Sequence, residues 1–306
     1  MAGLAQPEGW DQVSEQHLGC MRKHNETLFK SMKIVKEDLL PVNKKSMEKI
    51  SSEMLDDELV YFILTSLGSG VGAEFASKND YAEKVSSPYL RTNPDKATRT
   101  KVLDVQQAQK LRDWICELEQ LKKGKQSEEE KIQGEEAILK RMVTMFVGRA
   151  HAHAVLTGEK HLTDEKSLSI IGTSSYHTTL THVEFCDNCQ VESTQYDSLG
   201  GTKMDPKLRR ALHYLLTKLG LMKGNFTHNH PPPKVPRQKD GKVCALMALT
   251  CLTQILTGEK LDEKYWDLYV DLLRHWTFLK LHAVAVSSGA IQEAADETAS
   301  ERAGAA

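Results

Sequence analysis

The chain has 306 residues, a formal net charge of -2, 40% hydrophobic and 27% charged residues, a balance that supports a packed core and excludes a disordered or low-complexity protein. No run approaches the roughly 20 apolar residues of a membrane span. The first ten residues lack the apolar stretch of a secretory signal, so a cytoplasmic or nuclear protein is expected.

Six cysteines in such a chain read as thiols or metal ligands rather than as a disulfide framework. Helical periodicity dominates from the start. Met21, Leu28, Met32, Val35 and Leu39 recur at helical spacing until Pro41 stops the run. A second helix is predicted over 52–67, closed by Gly68, and a shorter one over 73–85. Leu103, Leu111, Trp114, Ile115, Leu118 and Leu121 mark another, ended at Gly124. The charged stretch 125–134 reads as a solvated linker between an N-terminal helical domain, 1–124, and a C-terminal one, 135–289, with a flexible tail over 290–306.

Beyond the linker a single apolar helix is predicted over 137–157. Composition then changes: over 170–196 Thr, Ser, Tyr, Val and Phe are enriched, which favours extended chain. Asp205-Pro206 is an N-cap followed by proline at the first helical position, and Leu208, Leu212, Leu215 and Leu219 form the inner face of the helix they start. A proline-rich connector over 224–241 leads to two last helices, 243–256 and 262–286. The fold class predicted is mainly α, a multi-helix globular fold with a small β-hairpin insertion around 174–196. Leu156-Thr157-Gly158-Glu159-Lys160 recurs as Leu256-Thr257-Gly258-Glu259-Lys260. Glycine stops and acidic starts produce such strings without any duplication.

Two local features carry chemistry. Cys186-Asp187-Asn188-Cys189 places two thiols around turn-forming residues between strand-like flanks, the shape of a zinc knuckle. His182 shares the face of Cys186 by strand alternation, and His177 is the next nearest imidazole, so the metal set is Cys186, Cys189, His182 and His177 around a structural zinc ion. The second feature is basic. Over 206–242 stand Lys207, Arg209, Arg210, Lys218, Lys223, Lys234, Arg237, Lys239 and Lys242 against Asp240, a local balance of +8. Lys207, Arg210, Tyr214 and Lys218 follow helical spacing, as a phosphate-facing stripe with an aromatic for base stacking would.

No H-E-x-x-H, G-x-S-x-G or Walker-type loop is present, and Gly68-Ser69-Gly70-Val71-Gly72 lacks dinucleotide spacing. Cysteine–histidine catalysis stays open, because such partners meet only in space, and the spacing singles out no pair. The reading that follows is a non-catalytic helical binding or assembly protein that engages RNA through 206–242 and self-associates or holds a protein partner. Nucleocapsid and matrix proteins of RNA viruses share this make-up, by analogy of class alone. The alternatives are a zinc-dependent hydrolase using Cys186 and Cys189, with Glu184 as base, and a scaffold docking an acidic protein.

Overall fold

The computed structural model describes residues 32–50, 55–67, 100–162, 167–174, 177–186, 189–201, 203–228, 235–238, 241–257 and 266–292, with isolated positions before them. The helix predicted over 73–85 and the glycine cluster at 68–72 lie outside the described residues. So do several positions of the helix predicted over 21–39. Within that stretch Lys33–Ile34 is a short strand, β1, and Glu37–Leu39 a single 3₁₀ turn.

Then come α1 (Lys44–Lys49), α2 (Asp57–Leu67), β2 (Lys101–Leu103), α3 (Val105–Lys123), α4 (Glu128–Val147) and α5 (Arg149–Leu156). β3 (Ser167–Ser174), β4 (His177–Cys186) and β5 (Gln190–Tyr196) lead to α6 (Pro206–Lys218) and β6 (Thr227–His228). The chain continues through α7 (Cys244–Thr257), α8 (Trp266–Ser287) and β7 (Ile291–Gln292), which pairs antiparallel with β1.

The helix starts follow local chemistry. Asp104 and Gln107 form a reciprocal capping box on α3, and Ser127 and Glu130 another on α4. Asp205 caps α6 by accepting from the Leu208 N–H, with Pro206 in the first turn. The helix predicted as continuous over 137–157 is two helices broken at Gly148, whose φ of 74° and ψ of 165° only glycine adopts without strain. The charged stretch 125–134 turns between α3 and α4 and supplies the first turns of α4. The two helices pack together in one core.

The mainly helical prediction is corrected by the sheet. Five strands in the order β2-β3-β4-β5-β6 form a mixed sheet, antiparallel in the middle and parallel at both edges. The expected hairpin is therefore the centre of an α/β architecture, not an insertion. Sequence periodicity misses the edges because β2 spans three residues and β6 two, too short for an alternation to register. Their pairing is a long-range event.

Alternation along the strands feeds two cores. Leu168, Ile170, Val183 and Val191 join α3, α4 and α6. Ile171 and Leu180, partners across the β3–β4 pair, face the other way and join α2, α7 and α8. α7 packs across β4, with Leu246, Leu249 and Leu252 fully buried. Each such leucine contributes roughly 1.5–3 kcal/mol relative to exposure. The threonines within α7 are accommodated because Thr250 donates to the Leu246 carbonyl and Thr253 to that of Thr250. Trp266, Leu273, Trp276 and Phe278 of α8 are core residues.

Candidate active site

His177 is the first residue of β4, and Asp197 directly follows the last residue of β5, the neighbouring antiparallel strand. The hairpin register therefore brings together two residues far apart in sequence, and His177 Nε2 lies 2.6 Å from Asp197 Oδ1. Their side chains are only 18% and 14% exposed, so the pair is partly shielded from solvent. Asp197 Oδ1 also accepts from the Leu199 N–H at 2.7 Å, which fixes the carboxylate within its own turn. A carboxylate that grips one imidazole nitrogen selects the tautomer and turns the other nitrogen into the proton-transfer atom.

The segment leading into α7 is fastened to this turn. Ser198 Oγ donates to Gln238 Oε1 at 2.5 Å, and the Gln238 N–H donates to the Ser198 carbonyl at 3.1 Å. Arg237 lies against Gly200, where an added Cβ would stand 3.3 Å from its guanidinium; with φ at +86° that position also favours glycine. Six residues on from Gln238, Cys244 opens α7 and is buried, 1% exposed. Cys251 lies two turns further along α7, where burial pushes its thiol far above the usual range, so it stays protonated.

The expected zinc set does not assemble. His177 and Cys186 sit at opposite ends of β4, nine residues and roughly 30 Å apart at about 3.3 Å per residue. His182 is buried, bonded through Nδ1 to Ser169 Oγ at 2.9 Å, and about 13 Å along the strand from Cys186 by the same rise. Ligands of one zinc ion lie about 2 Å from it. Cys189 has a φ of 59°, and its Sγ reaches the Gly220 carbonyl at 3.6 Å. Among the described residues no group of three or more His, Cys, Asp or Glu side chains can hold a metal ion. The zinc-binding and zinc-hydrolase expectations are corrected accordingly.

Two of the three cations of the stripe are neutralised from within. Arg210 Nε pairs with Glu119 of α3 at 2.7 Å, and Lys218 Nζ with Glu135 of α4 at 2.8 Å. The Lys218 hydrogen bond is the main reason the Glu135 carboxyl is held below its ordinary range. The Tyr214 ring, expected to stack on a base, is covered by the ammonium groups of Lys122 at 5.6 Å and Lys218 at 5.8 Å. Lys207, Arg209, Lys223 and Lys242 are exposed at separate points, and Arg237 points to Gly200. Lys234 and Lys239 lie outside the described residues. Sequence reasoning counted these cations without their partners, which come from helices almost a hundred residues away.

His177 and Cys244 were visible as residues but carried no spacing signal as a pair, and Asp197 drew no attention. Its setting directly after a strand-like run, opposite a histidine that opens another, is the trace a hairpin register would have turned into a contact.

No protein-family model and no curated protein sequence matches the chain. Among solved structures it is similar in fold to the SUMO protease Ulp1 with its catalytic cysteine oxidised to a sulfonic acid, at a TM-score of 0.47 and 11% identity over 88% of this chain and 95% of that one. The yeast Ulp1 protease domain in complex with Smt3 gives 0.44 and 14% identity, over 88% and 95%. The Xanthomonas campestris effector XopD bound to ubiquitin gives 0.32 and 15%, over 71% and 90%. With Arg210 and Lys218 of the basic stripe held by Glu119 and Glu135 and the Tyr214 ring covered by lysines, the expectation of a non-catalytic, nucleoprotein-like RNA binder is corrected.

Proposed function

We propose that the chain is a cysteine-dependent hydrolase in which Cys244 is the nucleophile, His177 its base and Asp197 the group that orients His177. The observation that carries the reading is the shielded 2.6 Å His177–Asp197 pair. Support comes from Cys244 at the start of a helix that packs on the strand His177 opens, and from the Ser198–Gln238 bonds that fasten the approach to that helix beside Asp197. Such a constellation performs acyl transfer.

In this reading His177 takes the proton of the Cys244 thiol, and the thiolate attacks the carbonyl carbon of an amide. The C–S bond forms while the carbonyl electron pair moves to oxygen. Collapse of that adduct breaks the C–N bond, with His177 returning the proton to the departing amine. Water, deprotonated by His177, then releases the acid and restores the thiol. The Gln238 amide NH₂, whose oxygen is already held by Ser198, is the donor assigned to the developing oxyanion. The substrate proposed is a protein; SUMO and ubiquitin, bound by proteins of similar fold, are the first to try.

The test is covalent capture. Full-length chain is treated with SUMO and ubiquitin bearing a C-terminal vinyl sulfone, and with iodoacetamide across pH 5 to 9. The expected result is an adduct on Cys244 whose formation slows sharply in His177→Ala. Because Cys244 is 1% exposed, access is the sharpest point of the test. Alkylation of Cys244 at a rate unchanged by His177→Ala at every pH would refute the assignment.

A further inference from the structure

A large groove lies away from His177, Asp197 and Cys244, none of which lines it. It encloses about 1550 Å³ between the segment before α1, the start of α2, and one face each of α3, α4 and α5. That exceeds the roughly 300–1,000 Å³ of small-molecule sites. Its two walls carry opposite charge. On α3, α4 and α5 stand Lys110, Lys140, Arg141 and Arg149, with Asp104 at the α3 N-cap the one carboxylate on that side among the described residues; across the groove stand Glu37, Asp57 and Glu58. The same lining includes an apolar strip with Trp114 of α3 and Met145 of α4.

Other cations of these helices are paired: Arg112 with Asp205, Lys131 with Glu128, and Arg141, which also lines the groove, with Glu117. Lys110, Lys140 and Arg149 meet no carboxylate within salt-bridge distance among the described residues. On the opposite wall the Asp57 carboxyl is raised above its ordinary range, by burial and then by neighbouring Asp56, as expected of a charge without a counter-ion.

We propose that this groove is a docking site for a partner polypeptide segment that is amphipathic and bipolar. Its acidic side chains face Lys110, Lys140 and Arg149, its basic ones face Glu37 and Asp57, and its apolar residues lie on the Trp114 strip. Charge complementarity selects that occupant. Nucleic acid, or an anionic membrane surface, would set phosphates against the carboxylates of the far wall. A single small anion would leave most of the volume and one wall unused. A polypeptide supplies both signs at side-chain spacing together with apolar area, the usual helix-in-groove arrangement.

The proposal does not depend on the nucleophile, so the test uses the full chain with Cys244→Ala. A random 16-residue peptide library displayed on phage is selected on this protein and counter-screened on the same protein carrying Lys140→Glu and Arg149→Glu, with a melting curve recorded for every variant to confirm its fold. Enriched peptides should carry acidic and basic residues on opposite edges of an apolar stripe. Their affinity should fall at least tenfold in the double variant, at least tenfold in Asp57→Lys, and with rising salt. Enrichment of uniformly acidic peptides that bind Asp57→Lys more tightly, of peptides indifferent to the charge reversals, or of none at all, would overturn it.

Discussion

His177 and Asp197 lie 20 residues apart in the chain, yet Nε2 and Oδ1 approach to 2.6 Å across the β4–β5 pair. Two backbone features enforce this. The antiparallel register sets the β5 end beside the β4 start, and the Leu199 N–H holds the carboxylate oxygen in place. The contact is thus a product of strand pairing, present before any substrate binds.

Removing the charge while keeping the shape should separate chemistry from folding. Asp197→Asn is expected to lower the rate of substrate cleavage, or of adduct formation with the ubiquitin-like probes, by about 10²–10⁴-fold, because the amide can favour the wrong imidazole tautomer. Its thermal midpoint should move by only a few degrees. Equal loss of activity and of fold would show that the pair is structural.

His182 predicts a specific pH dependence of stability. Burial lowers its pKa from 6.5 to about 4, so between those values the unfolded chain holds a proton that the native chain does not. Stability is therefore lost as pH falls through that window, by about 3 kcal/mol once below it. Urea unfolding at pH 7.5 and pH 4 should show wild type losing about that much more than His182→Gln. An identical loss in both proteins would place the acid sensitivity elsewhere.

The basic stripe makes a negative prediction. Arg210 and Glu119 are roughly half exposed, and such pairs contribute about 0–1 kcal/mol. A double-mutant cycle with Arg210→Ala and Glu119→Ala should return a coupling within that range that shrinks with salt. The triple change Lys207→Glu, Arg210→Glu and Lys218→Glu should leave the weak, salt-sensitive affinity for single-stranded RNA without a specific component to lose. A specific complex abolished by the triple change would restore the stripe as a binding surface.

Gly148 isolates a backbone effect. An added Cβ there meets nothing within 4 Å, so sterics with neighbours play no part. The left-handed, extended backbone alone should make Gly148→Ala cost about 1–3 kcal/mol. A chemical-denaturation midpoint matching that of wild type would mean that α4 and α5 can join without this break.

Much of the helical layer was legible because its causes are local. Asp104, Ser127 and Asp205 cap their helices through side chains three residues from the groups they satisfy, and the leucine stripe of α6 lies within one turn-repeat. The central strands were legible too, since Val, Thr and Phe alternate there. The edge strands were not: three residues at 101–103 and two at 227–228 become strands only when β3 and β5 present them with unpaired N–H and C=O groups. The same reason governs charge. A sequence window counts Arg210 and Lys218 as free cations, while their carboxylates arrive from α3 and α4.

By itself, the order of residues determined the capped helix starts at Asp104 and Asp205, which helix faces are apolar, and that a strand pair occupies the middle of the chain. Those outcomes rest on interactions spanning a few residues. Only the tertiary structure decided that the hairpin is the heart of a sheet, that the cysteine–histidine cluster expected at its tip is spread along a strand, and that Asp197 grips His177. Hydrogen-bond registers and ion pairs between distant segments are set by the packing of the whole chain, and no local spacing encodes them.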